Sequence, residues 1–202
     1  MIAVISGGII NSEQYDSEKW MEVLTGFLQN FGETPETWEI YKGEEFQLKV
    51  SPKIALFTAI HLKATIKTID KLDVRIGIGL GEEIFAAEKI TQSKGSAYSN
   101  SGRVFEFLKQ QKTNLLIKSE NEEFNRTINL MLALALSFMD DWSSVSAETL
   151  AYVFQNPEAS QKEIAHHFKI SQSNVSQRLS RANLTLVSKF NAYFRSRIEA
   201  GI

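Results

Sequence analysis

Apolar positions along this chain follow two periods, and the switches between them mark out the elements. Met1 to Ser6 is a short apolar run rich in β-formers, closed by Gly7-Gly8. From Ser17 to Phe31 the positions Trp20, Val23, Leu24, Phe27, Leu28 and Phe31 keep helical spacing, and Gly32 ends the run. Trp38-Glu39-Ile40-Tyr41 and Phe46-Gln47-Leu48-Lys49-Val50 alternate with period two about Lys42-Gly43-Glu44-Glu45, which predicts a hairpin. Pro52 opens a helix to about Asp70, with Ile54, Leu56, Phe57, Ile60, Ala64 and Ile69 apolar. Val74 to Gly81 reads as another strand, Arg103 to Lys109 sits on a further helix, and Leu115-Leu116-Ile117 closes a last strand. The order βαββαβαβ predicts an antiparallel-rich α/β sandwich.

Beyond Ser119 the pattern is wholly helical. Asn125 to Met139 carries an apolar face of Ile128, Met131, Leu132, Ala135 and Phe138, and Ser146 to Phe154 forms another helix. Trp142 is placed to pin the joint between them. Ser160 is a good N-cap with Glu163 three residues on, a capping box ahead of Ile164, Ala165 and Phe168. Ile170 plugs a turn, and Ser171 caps a helix whose inner face is Val175, Leu179 and Ala182. At the turn position often held by Gly stands Lys169, which in a left-handed conformation costs on the order of 1 kcal/mol. Apolar positions then continue at helical spacing from Leu184 to Ile198, a stripe that packs back on the rest of the chain or against a second copy. The fold class expected is α+β. A ferredoxin-like α/β domain (1–119) passes through a helical connector (120–142) to an all-α unit with a C-terminal extension (143–202).

Composition narrows the function classes. The 202 residues include no cysteine and three scattered histidines, so no disulfide, thiolate site or zinc site is expected. The most apolar segment, Asn129 to Phe138, is closed by Asp140-Asp141, too early for a bilayer, so no membrane partner is expected and a cytoplasmic location fits. The net charge of −2 hides an asymmetry: residues 151–202 hold seven Lys/Arg against three Glu. A basic tail on an acidic body suits a phosphate-binding module on a separate platform.

The tail's exposed positions supply the matching chemistry. Gln172, Ser173, Asn174, Gln177 and Arg178 lie on the outer side of the second helix, where amide and guanidinium groups can make bidentate contacts to purine edges. Lys162 and Arg181, with Lys189 further on, are placed for phosphates. The pattern therefore predicts a helix-turn-helix that reads double-stranded DNA. One recognition helix reads few base pairs, so a homodimer presenting two is expected.

Several stretches carry a family resemblance. Arg75-Ile76-Gly77-Ile78 with Gly81 resembles the RIGI-x-x-G strand of class III nucleotide cyclases. Gly95 through Arg103-Val104 resembles the stretch where those enzymes place an Asn and an Arg on one helix. Gly43-Glu44-Glu45-Phe46 resembles the signature hairpin of diguanylate cyclases, which share the palm fold. With Ile5 to Ser12 at the start and the helix-turn-helix at the end, the chain is similar to the SatD-like family. That resemblance implies a bacterial protein joining a nucleotide-cyclase-like domain to a DNA-binding tail.

The same resemblance sets expectations for the first domain. Cyclases hold two Mg²⁺ between a carboxylate ending the first strand and another on the hairpin. The first position falls on Gly8, the second on Glu44, and the expected Asn falls on Ser99 with Asn100 one residue out of register. Catalysis, a catalytic residue, a resident metal and a required cofactor are therefore not expected. The alternative is an Mg²⁺-dependent nucleotide cyclase using Glu44 and a displaced acid such as Asp16. A third is a protein-interaction module built on the helix-turn-helix. Ligand binding without catalysis would use Ser6, Gly7, Gly8 and Asn11, in a strand-to-helix turn whose N–H groups cradle an anion, with Glu44 and Arg103 facing a nucleotide or other small molecule. Glu82-Glu83 reads as surface.

Overall fold

Residues Ile2–Ile10 form the central strand β1 of the computed structural model, which describes residues 1–111 and 113–202. The strand does not stop at Ser6. Gly7 is paired with Phe46 on one side and Ile76 on the other, and Gly8 with Glu45 and Arg75. Pairing on both edges overrides the weak strand preference of glycine, so the expected turn at Gly7-Gly8 lies further on.

Around β1 stand β2 (Trp38–Tyr41), β3 (Glu45–Val50), β4 (Asp73–Gly81) and β5 (Leu115–Lys118), in the order β2-β3-β1-β4-β5. β4 and β5 pair parallel and the other neighbours antiparallel. The helices are α1 (Ser17–Leu28), α2 (Ala55–Ile66), α3 (Ser96–Lys109), α4 (Glu122–Met139), α5 (Ser144–Gln155), α6 (Gln161–Phe168), α7 (Gln172–Arg181) and α8 (Leu184–Glu199). The architecture is mixed α and β, as expected.

Alternation along the central strands sends two sets of side chains to opposite faces. Ala3, Ile5, Ile9, Val74, Ile76, Ile78 and Leu80 enter one core with α1 and α2. Val4 goes the other way, to Ile90, Ala97 and Tyr98 under α3. On this second face β4 presents Gly77, Gly79 and Gly81 after Arg75. A Cβ on Gly77 would come within 2.8 Å of the Phe105 nitrogen, and one on Gly79 would run into the Ala97 carbonyl and the Ser101 nitrogen. The alternate glycines of the Arg75 to Gly81 run are thus a seat for a helix backbone. This also explains why α3 starts at Ser96, well before Arg103. Its inner positions, Ala97, Asn100 and Ser101, are small or polar, and the apolar period that announces a helix is missing there.

Helix α4 closes the free edge of β5 with side chains. Asn129 Oδ1 accepts from the Ile117 N–H and its Nδ2 donates to the Ile117 carbonyl, both at 2.9 Å. One turn earlier, Asn125 makes the same pair of bonds with Ser119, at 2.8 and 2.9 Å. Residues 117 and 119 point their backbone groups the same way, and one helical turn nearly matches two strand residues. The two amides so stand in for a missing strand and block edge pairing.

The C-terminal helices share the core of the first face. One cluster of buried side chains runs from Ala3 through Leu56, Ile128, Leu150 and Val175 to Ile198. At its heart Lys63, 1% exposed, donates to Asp73 at 2.7 and 2.9 Å. Its ammonium is also 2.7 Å from Asp140 Oδ1, an ion pair without hydrogen-bond geometry. Lys67 adds a 2.7 Å bond to the Asp140 carbonyl, tying α2 and β4 to the end of α4. Nearby, His61 packs edge-on to Phe27 and Phe154, at 5.0 and 5.5 Å, with no hydrogen bond on its buried Nε2. Burial lowers its pKa to about 4, so it stays a neutral aromatic filler. Trp142 does pin the joint, donating from Nε1 to the Ala182 carbonyl at 3.0 Å.

Candidate nucleic-acid interface

Helices α6 and α7 are set by their caps. The Ser160 hydroxyl accepts from the Glu163 N–H, and Glu163 accepts from the Ser160 N–H at 2.7 Å, the reciprocal box expected. Bonds from the Ser160 hydroxyl and backbone hold the Glu163 carboxyl below its ordinary pKa. At the other end Lys169 adopts φ 53°, ψ 42°. Its N–H donates to His166, and that of Ile170 to Ala165 at 3.0 Å, which closes a Schellman motif. Lys169 is left-handed as expected. The Ser171 hydroxyl then accepts from the Asn174 N–H and starts α7.

Val175 and Leu179 bury the inner face of α7, with Ala182 just beyond. Its outer face leaves Gln172, Ser173, Asn174, Ser176, Gln177 and Arg181 exposed. Asn174, Ser176, Gln177 and Arg181 make no side-chain hydrogen bond or ion pair among the described residues, while Gln172 touches Gln161 at 3.5 Å. Arg178 is the exception. Its Nη1 donates to the Thr149 hydroxyl at 3.4 Å and its guanidinium lies 5.8 Å over the Phe168 ring. It therefore braces α5, α6 and α7 and stands apart from the outward row in which it was expected. Lys162 is exposed beside the row, whereas Lys189 lies on α8 at an apolar groove. Between Ser160 and Ala182 the cations Lys162, Lys169, Arg178 and Arg181 face a single anion, Glu163, already spent in the cap. The surface can thus offer amides and cations together, the combination that base edges and phosphates require.

The residues expected around a nucleotide are not brought together. The Ser6 hydroxyl donates to Ser101 at 3.0 Å inside the sheet–α3 layer. Gly7 and Gly8 spend their backbone in the strand ladder, so the expected anion cradle does not form there. Asn11, at φ 65°, turns the chain out of β1 and donates to the Lys71 carbonyl at 3.1 Å. Glu44 sits in the β2–β3 turn, and Arg103 lines a cleft with Leu116 and Asn129 beside β5. Two strands, β1 and β4, separate the hairpin edge from the β5 edge.

A metal fits poorly at the place the resemblance marks. The hairpin residue opposite Gly8 is Glu45, not Glu44. Its carboxylate is 2.7 Å from the Lys109 ammonium, and the space where a Gly8 side chain would start abuts the Phe105 ring at 3.1 Å. Partial burial disfavours the charged Lys109, but bonds to Glu106 and Glu45 outweigh it and raise its pKa. Burial and the neighbouring Glu45 push the Tyr41 hydroxyl up to about 12. Asp16 caps α1 by accepting from the Glu18 N–H. Asn100 Nδ2 donates to the Leu80 carbonyl at 3.0 Å and so anchors α3, while Ser99 is exposed. Of the acidic pair, Glu83 is engaged by Lys49 and Tyr98, and Glu82 is exposed. No group of three or more His, Asp or Glu that could hold a metal occurs among the described residues. Nor is any described helix long and apolar enough to cross a membrane.

Comparison with known proteins bears on the family part of the resemblance read from the residues. No curated protein and no solved structure matches the chain. The model of the SatD family matches residues 1–201, and the chain belongs to that family.

Proposed function

We propose that the chain is a cytoplasmic, sequence-specific DNA-binding transcriptional regulator. Helices α6 and α7 act as its helix-turn-helix, with α5 completing the three-helix unit. Residues 1–119 are then a ferredoxin-like, cyclase-like sensory or assembly platform, 120–142 the connector and 143–202 the DNA-binding unit. The strand order β2-β3-β1-β4 with α1 and α2 on one face supports the ferredoxin-like reading. The observation that carries the function is the outer face of α7. It is fixed in place by two N-caps and a buried inner face, yet its amides find almost no partner within the chain. Gln172, Ser173, Asn174 and Gln177 read bases, while Lys162 and Arg181 meet phosphates.

The platform is non-catalytic in this reading, because Glu45 is neutralised by Lys109 and Gly8 offers no ligand. The test is the salt dependence of binding to duplex DNA. Affinity should fall steeply with added salt, and Arg181→Ala should reduce the log–log slope by about 1. Affinity that ignores salt would favour a protein partner, and Mg²⁺-dependent turnover of ATP or GTP would favour the cyclase alternative.

A further inference from the structure

Along α8 the positions Leu184, Val187, Asn191, Phe194 and Ile198 recur at intervals of three and four, the spacing of a buried stripe. Val187, Phe194 and Ile198 are buried as that spacing requires. Asn191 interrupts them with an amide, and its Oδ1 is buried without a partner. A buried acceptor left unpaired weakens a fold, and leucine would continue the stripe without that penalty. Packing therefore does not account for the residue at this position.

Asn191 lines a cleft of about 390 Å³ where α2, α5 and α8 meet. Phe57 of α2 and Phe154 of α5 form one wall, edge to face with ring centroids 5.2 Å apart. Leu184 and Val187 of α8 add further apolar surface. One turn beyond Asn191 stands Arg195, exposed at the solvent end, the one charged residue lining the cleft among the described residues. Its Nε donates to Glu199 at 3.2 Å, and Lys53 pairs with the same carboxylate at 3.2 Å. Two cations thus share one anion, which leaves positive charge in excess at the mouth.

The volume lies within the range of small-molecule sites, roughly 300–1,000 Å³. The lining selects the chemistry of an occupant. Apolar walls take a ring or branched alkyl body, the Asn191 Oδ1 requires an N–H or O–H donor, and the excess cation attracts a carboxylate. We propose that this cleft binds a small apolar carboxylate carrying a hydrogen-bond donor, the donor on Asn191 Oδ1 and the carboxylate at Arg195.

The place of the cleft gives such a ligand leverage on α7, a use that rests on the DNA-reading proposal, whereas the site itself does not. Phe57 belongs to the α/β layer and Phe154 to the first helix of the three-helix unit. Leu184 opens α8, two residues past Ala182, at a corner that turns through Asn183 at φ 56° and that Trp142 holds by the Ala182 carbonyl. An occupant spanning Phe57 and Leu184 ties the platform to the helix that follows the reading surface.

Calorimetric titration of the full chain without DNA tests the site apart from DNA binding. The probes are 3-phenyllactate, 3-phenylpropionate, which lacks the hydroxyl donor, and 1-phenyl-2-propanol, which lacks the carboxylate. Phenyllactate should bind at about 1 mM or tighter, and each analogue about tenfold more weakly. Asn191→Leu, with a thermal melt no lower than the native one, should erase the preference for phenyllactate over phenylpropionate. Arg195→Gln, at an exposed position, should erase the preference for the carboxylate. A native chain that binds none of the three at about 10 mM holds only water there and overturns the proposal, as does equal affinity for all three. Losses equal across the probes in both variants would mark a packing defect and overturn the assigned contacts. With phenyllactate saturating, duplex-DNA affinity should change by about fivefold or more, and an unchanged affinity overturns the leverage on α7. A chain that binds phenyllactate but no DNA would leave the site standing and remove the helix-turn-helix reading.

Discussion

In the sheet–α3 layer most polar side chains end on other groups of the same chain, Ser6 on Ser101, Glu45 on Lys109 and Asn100 on the Leu80 carbonyl, while Arg75 Nε and Gln47 Oε1 are buried without a partner. On α7 the polar side chains Asn174, Ser176, Gln177 and Arg181 end in solvent. Both regions are rich in groups that could bind a ligand, yet α7 alone of the two presents an exposed row of them. A buried polar group without a partner costs about 1–3 kcal/mol, so engaged groups are explained by folding alone. Exposed groups held in a fixed row are not needed for the fold. The contrast is what supports the proposal that α7 is the recognising region, and substitutions should separate the two.

The largest effect is expected at the glycine seat. Gly79→Ala forces α3 off the sheet and should cost more than about 3 kcal/mol or prevent folding, since the obstacle is backbone. Gly26→Ala on α1, with nothing within 4 Å, should instead stabilise by about 0.5–1 kcal/mol. Urea unfolding of both reads the difference, and similar outcomes would break the account of the seat. Next comes the buried ammonium. Lys63→Ala leaves Asp73 beside Asp140 with Lys67, at 3.4 Å, as its remaining cation and should cost about 3 kcal/mol, whereas Lys63→Met with Asp73→Leu should recover much of it.

A pH effect of intermediate size is expected from His61. Its folded pKa of about 4 lies below the ordinary value, so its contribution is fully present above pH 6.5. It is lost as pH falls from there toward 4, by up to roughly 3 kcal/mol. Unfolding curves for the native chain and His61→Phe should diverge at pH 7 relative to pH 5, and parallel pH profiles would contradict the assignment. The smallest change belongs to the turn. Lys169→Gly relieves a left-handed residue and should stabilise by about 1 kcal/mol without altering the outer face of α7.

The sequence announces these regions unequally. The hairpin 38–50, helix α1 and the caps at Ser160 and Ser171 are legible because each depends on contacts within a few residues. The capping box appears as drawn from Ser160 and Glu163. The Gly7-Gly8 turn failed because strand pairing from both sides, invisible in a local window, extends β1 to Ile10. The early turns of α3 lacked an apolar period because their neighbours are glycines. Hairpin register decided that Glu45 rather than Glu44 faces Gly8, and register is set by the whole sheet. Spacing alone puts Arg178 on the outward side, but a long side chain can fold back, and the Thr149 hydroxyl and Phe168 ring hold it. The Asn125 and Asn129 amides on β5 have no signature at all, since their partners are backbone.

The central claim is that α7 reads DNA sequence. The most direct test is recovery of sheared genomic DNA from the source organism by the native chain and by Gln177→Ala, whose side chain is exposed and makes no hydrogen bond among the described residues. The account predicts a few discrete fragments with the native chain and about 1–3 kcal/mol weaker, less selective recovery with the variant. Recovery of nothing by either, or of the same unselective mixture by both, would contradict it.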